Sequence, residues 1–261
     1  MLDGANFPPH YYLYLGLIGL AAGLLDSIVG GGGLIGTPAM MNLFPTWPIL
    51  SIVGTNRASS IFGTSVAAWN YFRKVKLERR IVLSSCAGAL VASYAGVQVA
   101  RLVPTDNLKW AVVCAIIGLA VYSLAKKELG RVERRKFSPR QEIWAALGVG
   151  AACGFYNGLI GPGTGTLLVF GFVSALGLDF LKSSAVSKAV NVSADISSFA
   201  VLAAAGFVVW PAAIPLVIAN MLGSFLGSKL AILKGSEFIR RVFLVVVFAL
   251  IIRLLWQMLA R

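Results

Sequence analysis

Arg57 and Lys188 are the two side chains whose positions ask for a chemical purpose. Arg57 lies about seven residues into an apolar segment, beside Thr55 and Asn56; Lys188 lies about six residues into another, beside Ser187 and Asn191. A cation at the centre of a bilayer costs roughly 2.5–3.5 kcal/mol on insertion scales, so two at matched places need an explanation. Fixed positive charge flanked by hydroxyl and amide groups suits the oxygens of a small anion. The bland alternative is that each long stem carries its charge to the nearer interface, which a depth of two turns permits. Asp26 and Asp195 lie in the same apolar surroundings. They could exchange protons or bind a coupling cation, or simply neutralise Arg57 and Lys188, and the sequence leaves both readings open.

Two glycine turns supply the rest of a site. The first is Gly30-Gly31-Gly32-Gly33, followed by Gly36-Thr37-Pro38; the second is Gly161-Pro162-Gly163-Thr164-Gly165. Each follows a long apolar segment and precedes one too short to cross a bilayer. Backbone that unwinds at membrane depth survives only beside protein or a water-filled cavity. A helix that restarts there offers unpaired N–H groups and the positive end of its dipole, which favour an anion. The expected site therefore comprises Gly30, Gly31, Gly32, Gly33, Thr55, Asn56, Arg57, Gly161, Gly163, Thr164, Gly165, Ser187, Lys188 and Asn191, with Asp26 and Asp195 as coupling groups.

The elements that must hold these residues are helices in lipid. Of 261 residues, 58% are hydrophobic and 13% charged, and the mean hydropathy is +0.82, outside the range of ordinary soluble domains. Apolar runs fall at 11–29, 34–44, 50–72, 81–103, 107–126, 141–160, 165–178, 182–206, 211–233 and 238–259. Their lengths suit helices rather than barrel strands, and six or more would span on length alone. Met1-Leu2-Asp3-Gly4 has no basic stretch ahead of the first run, so that run is expected to be retained rather than cleaved as a signal peptide.

The formal charge of +13 does not point to nucleic acid. Fifteen of the 23 Lys and Arg occupy three short stretches, Arg73–Arg80, Lys126–Arg140 and Lys234–Arg241, the pattern of cytoplasmic loops. Placing those inside leaves both termini and the loops at 45–50, 103–107 and 206–211 outside. His10 is the single histidine, and Cys86, Cys114 and Cys153 stand alone in apolar runs. No metal site, disulfide or cofactor is expected.

The chain reads as a duplication. Gly23-Leu24-Leu25-Asp26 superposes on Gly154-Phe155-Tyr156-Asn157 at an offset of 131. Thr55-Asn56 falls on Ser187-Lys188 after one inserted residue, and Ala95-Gly96 falls on Leu226-Gly227. The loop Arg73-Lys74-Val75-Lys76 is basic, whereas its counterpart Gly206–Trp210 is neutral, so the halves should have opposite orientations. The expected fold is an all-α polytopic membrane protein of two inverted-topology repeats. Each has about five helical segments and opens with a broken, re-entrant hairpin. Residues 1–126 form the first repeat, 127–140 a basic cytoplasmic linker, and 141–261 the second. The return arm at 34–44 is about eleven residues, roughly 16 Å at 1.5 Å per residue, which reaches about halfway across a ~30 Å core.

Other motifs fail on context. Gly31–Gly36 fits GxGxxG with no strand before it, and Gly161–Thr166 lacks the Gly-Lys-Ser/Thr ending of a phosphate loop. Gly150, Gly154 and Gly158, Gly88, Ala92 and Gly96, and Gly223 with Gly227 recur every four residues as helix-packing faces.

The Gly23–Gly33 stretch, its repeat at Gly154 to Gly165, the Ser187-Lys188 pair and the spacing from Gly206 and Trp210 to Gly223 and Gly227 resemble the sulfite exporter TauE/SafE family of membrane transporters. The resemblance covers nearly the whole chain. It implies a secondary transporter of the bacterial inner membrane, moving small sulfur-containing anions such as sulfite, thiosulfate or organosulfonates by alternating access. A coupling proton or cation and self-association are left open. Pro162 and Thr164 depart from the first turn, so the two turns need not bind alike. An anion channel is the alternative function, and an intramembrane enzyme a more distant one, since no nucleophile and base lie together in the sequence.

Overall fold

The computed structural model describes residues 7–100, 102, 133, 135 and 137–259. The apolar run at 107–126, Cys114 and most of the 127–140 linker lie outside them. Among the described residues the chain is all helical and contains no strand. The helices are α1 (Pro9–Val29), α2 (Gly32–Leu43), α3 (Ile49–Lys74), α4 (Arg79–Ala100), α5 (Pro139–Leu159), α6 (Thr164–Gly171), α7 (Phe180–Ala204) and α8 (Trp210–Leu259). A π-helical turn, Phe172–Leu176, extends α6. Gly235, at φ 71° and ψ −169°, breaks α8 between the two apolar runs of the sequence.

Three of these are long and apolar enough to cross a membrane: α1, α4 and the Trp210–Val246 part of α8. On length alone α3, α5 and α7 qualify as well, with 26, 21 and 25 residues. Two of these three are less apolar for a structural reason. α3 buries Ser51, Thr55, Arg57, Ser59 and Thr64, and α7 buries Ser183, Ser184, Ser187, Lys188, Asn191, Asp195 and Ser198. Meanwhile Leu17, Leu83, Val91, Trp144 and Leu222 are more than half exposed. Polar groups inside and apolar groups outside is the arrangement a hydrocarbon solvent requires.

Close helix contacts rest on small residues, since lipid tails give no hydrophobic drive to pair. α1 packs on α8, where a Cβ on Gly23 would strike the backbone of Asn220 and one on Gly223 the backbone of Leu20. α4 packs on α5, with Gly154 against the backbone of Ala89 and Gly158 against that of Ser93. α3 also packs on α8, α7 on α4, and α3 and α7 meet each other between these pairs.

Helix ends are closed by local chemistry. Ser138 and Gln141 form a capping box before α5, and the Asp179 carboxylate accepts from Lys182 N at 2.9 Å at the start of α7. Ser236, beside the α8 break, donates to Asp179 Oδ1 at 3.0 Å and accepts from Leu181 N at 3.1 Å. A charged cluster ties α4, α5 and α7 to the linker. Arg135 pairs with Glu78, Glu133 and, at 2.8 Å, Glu142; Arg80 bridges Glu78 at 2.7 Å and Glu142 at 2.8 Å; Lys182 pairs with Glu133. Partial burial pushes the Glu78 carboxyl up, but hydrogen bonds from Arg135 and Arg80 outweigh it and hold Glu78 below the usual range. Burial is likewise outweighed at Glu133, by Lys182 and Arg135, which leaves it low.

Candidate functional site

Each glycine turn is a helix break with its own closure. α1 ends where Gly30 takes the left-handed conformation at φ 81° and its N–H donates to Asp26 O at 2.7 Å. α2 restarts two residues later, with Gly32 N–H donating to Asp26 Oδ1 at 3.3 Å. Asp26 therefore closes the end of one helix with its carbonyl and the start of the next with its carboxylate. At the second break Ile160 and Gly161 both donate to Tyr156 O, and Gly161 and Gly163 have φ 91° and 88°. The Thr164 hydroxyl donates to Gly161 O at 2.6 Å, and the Tyr156 hydroxyl to Pro162 O at 2.8 Å.

The two breaks abut. A Cβ on Gly30 would fall on the backbone of Gly165, one on Gly165 would fall on Gly30, and one on Gly33 would sit 3.1 Å from Pro162 Cα. Only residues without a side chain allow main chain to meet main chain this closely.

The buried cations cross between the two parts. Arg57 of α3 reaches the end of α5, where Nη2 donates to the Asn157 carbonyl and Nη1 to Asn157 Oδ1 and Ser198 Oγ. Nη1 also lies 3.2 Å from Asp195 Oδ1. Lys188 of α7 reaches the end of α1, donating from Nζ to the Asp26 carbonyl and lying 3.5 Å from Asp26 Oδ2. Helix C-termini carry unpaired carbonyls and partial negative charge, so each cation satisfies a broken helix end as well as a carboxylate. Asp195 further accepts from Ser60 Oγ at 2.7 Å and Asn157 Nδ2 at 2.9 Å, and Asp26 Oδ2 accepts from Thr64 Oγ1 at 3.1 Å.

These contacts recur at one spacing. Residues 131 apart in the sequence, Asp26 and Asn157, Thr64 and Asp195, Arg57 and Lys188, occupy equivalent roles. At each break an Asp or Asn holds a cation from the far half and a partner at position 64 or 195. The uninterrupted offset thus matches Arg57 to Lys188 directly, without the inserted residue that aligning Thr55-Asn56 to Ser187-Lys188 requires.

Between the breaks lies a cavity of about 40 Å³, enough for a few waters or one compact anion at about 10–15 Å³ per water probe. Of the residues expected from sequence, it is lined by Asp26, Gly30, Gly32, Gly33, Asn56, Arg57, Gly161, Gly163, Thr164, Gly165, Asn191 and Asp195. Two lining groups, Arg57 Nε and Asn191 Oδ1, are buried without a hydrogen-bond partner. Gly31, Thr55, Ser187 and Lys188 lie outside the lining. Thr55 Oγ1 accepts from Val209 N at 3.0 Å, Ser187 Oγ donates to Ser184 O at 2.8 Å, and a Cβ on Gly31 would face Leu25 and Val246. Lys188 is fully buried against α1. The lining also includes Thr37, Ser60, Asn157 and Asn220, which the sequence reading did not select. Asn157 carried a signal, because the offset of 131 superposes it on Asp26.

Buried charges held at two helix breaks, inside a bundle with an apolar exterior, define a polytopic membrane protein of the transporter class. The model of the Sulfite exporter TauE/SafE family matches residues 15–254, and the chain belongs to that family. It is 34% identical over 250 residues to probable membrane transporter protein ORF9 of Sinorhizobium sp, covering 94% of this chain and 93% of that one. It is 28% identical over 247 residues to probable membrane transporter protein YfcA of Escherichia coli K12 (92% and 88% covered), and 27% over 240 residues to a probable membrane transporter protein of Haemophilus influenzae (92% of each). No solved structure matches the chain.

Proposed function

We propose that this protein is a secondary transporter of small sulfur-containing anions in the bacterial inner membrane, with one anion site between the two glycine breaks. The observation that carries this reading is the cavity itself: the N-terminal turns of α2 (Gly32, Gly33) and α6 (Thr164, Gly165) and the Arg57 guanidinium line one small space. Helix N-termini and a fixed cation together favour a charged oxyanion, here through first-turn amides other than those of Gly32, Leu34 and Thr164, which already donate to Asp26 Oδ1, Gly31 O and Gly161 O. Arg57 is the charged contact, with Asn56, Thr164 and Asn191 as neutral ones; Lys188 holds the end of α1. Asp26 and Asp195 are the candidate coupling groups.

Alternating access then follows from motion of two inverted repeats, 1–126 and 141–261, joined by the linker 127–140, with both termini outside. Support comes from packing that repeats at the 131 spacing. Gly23 on Asn220 of α8 matches Gly154 on Ala89 of α4, and Leu15 and Ala212 in one apolar cluster match Ala146 and Ile81 in another. Each cation crosses from one repeat to the helix break of the other, so movement of one repeat is felt at the other's break.

Flux into proteoliposomes tests the function. Sulfite, thiosulfate and methanesulfonate are offered separately, and at least one is carried by the wild type. Arg57→Lys, which keeps the charge and loses the planar fork, should cut that flux at least tenfold. Wild-type vesicles that carry none of the three, or that show unitary currents in electrical recording, would overturn the transporter reading.

A further inference from the structure

The cavity and the buried charges beside it hold a balanced set of four: Arg57 and Lys188 against Asp26 and Asp195. A monoanion entering this set adds one unbalanced negative charge in a low-dielectric site, which is expensive unless it is compensated. We propose that Asp195 takes up one proton as the anion binds, so that Arg57 passes from the carboxylate to the anion; this rests on the anion site described above. The proton comes from water on the side to which the cavity opens. An O–H bond forms at a carboxylate oxygen of Asp195, and the formal charge of the set with its anion returns to zero.

The geometry separates Asp195 from Asp26. Asp195 meets its cation through one nitrogen at 3.2 Å, while both guanidinium Nη atoms are also held by neutral Asn157. Arg57 faces the cavity and has Nε unpartnered, so an anion can replace the carboxylate at the same guanidinium. Neutral Asp195 keeps its surroundings, because the Ser60 hydroxyl 2.7 Å away can turn from donor to acceptor. Asp26 is placed otherwise. Its cation, Lys188, lies outside the cavity lining, so protonating Asp26 would strand a buried ammonium that no anion reaches. Its Oδ1 also holds the first amide of α2.

The groups facing Asp195 are few. α3 contributes Arg57 and Ser60, α5 contributes Asn157, and the charge of Asp26 on α1 is felt there. Lys188 lies on its own helix, and the charge of Asp195 is felt at it. α2 and α6 carry no titratable side chain. From α4, Cys86 meets α7 at Ser193, and Tyr94 lines an outer groove with Ile196 and Ala200.

Calorimetry on the purified protein tests this with methanesulfonate and ethanesulfonate, monoanions that do not titrate near neutral pH. Binding heats in two amine buffers of different ionisation enthalpy should give one proton taken up per anion bound. Asp195→Asn should bind the anion with no uptake and with an affinity that no longer falls as pH rises. Infrared difference spectra of the wild type should show a protonated carboxyl band on anion binding, and Asp195→Glu should move that band, which keeps the test open if the Asn variant does not fold. Anion binding without proton uptake would overturn the proposal and leave the anion site standing. Uptake that persists in Asp195→Asn would overturn it too. Failure of the wild type to bind either anion would remove the site reading and this proposal together.

Discussion

Replacing Gly30 by alanine isolates the contact between the two helix breaks. Gly30 sits at φ 81°, where an alanine costs roughly 1–2 kcal/mol from the clash of Cβ with its own backbone. The new Cβ would also overlap the backbone of Gly165, and main chain cannot swing aside as a flexible side chain can. Overpacking of this kind adds about 1–3 kcal/mol, so Gly30→Ala should cost roughly 2–5 kcal/mol in all. Gly206→Ala supplies the control: its φ is 76°, with nothing within 4 Å of an added Cβ, so only the roughly 1–2 kcal/mol conformational part remains. Gly16→Ala, in a helix with open space around it, should be neutral or stabilising by up to about 1 kcal/mol. Equilibrium unfolding in mixed micelles ranks the three. The ordering Gly30→Ala well below Gly206→Ala, with Gly16→Ala at or above wild type, is expected. Equal losses for Gly30→Ala and Gly206→Ala would refute the abutting breaks, because strain alone would then explain both.

Arg57→Ala leaves Asp195 buried with its charge unpaired and should cost about 3–5 kcal/mol; Arg57→Ala with Asp195→Ala should recover a large part of that, and additive losses in a double-mutant cycle would show that the pair does not interact. Glu78 and Glu133 are held below the usual carboxylate range. A carboxylate whose folded value is depressed adds stability above its unfolded value, near about 4.3, and loses it as pH falls through the folded value. Unfolding midpoints should therefore drop below about pH 4.3, and Arg135→Met should flatten that drop; an acid profile unchanged in Arg135→Met would separate Arg135 from it. Gly158→Leu, which drives a side chain into the Ser93 backbone, should separate α4 from α5 and lower folded yield far more than Gly148→Leu, where no neighbour lies within 4 Å.

Much of this architecture was legible because lipid constrains sequence strongly. The apolar runs gave the helices to within a few residues, with α1 expected at 11–29 and found at Pro9–Val29. The glycine turns gave the breaks, since a run of four glycines among apolar residues has few other uses. Six or more runs could span on length alone, whereas among the described residues three helices are both long and apolar enough, because α3 and α7 turn their hydroxyl, amide and charged residues inward. The positions of Arg57 and Lys188 were readable, but their partners were not. Nothing local in the sequence says that Arg57 reaches Asn157, 100 residues away, or that Lys188 reaches Asp26, 162 residues away. Those pairings depend on how the helices cross, and the matches at an offset of 131 were the available clue. Thr55 and Ser187 look like ligands in sequence because they adjoin Asn56 and Lys188. A helix turns by about 100° per residue, so neighbours in sequence face different ways, and Thr55 meets the Val209 amide instead.

Crystals grown with selenite, a heavier isostere of sulfite, would locate the anion by its anomalous scattering. The expected peak lies in the cavity between the breaks, within hydrogen-bonding distance of Arg57 and of the first-turn amides of α2 or α6. A peak elsewhere, for example in the groove where Tyr94 and Gln98 of α4 face Ser197 and Val201 of α7, with none between the breaks, would contradict it.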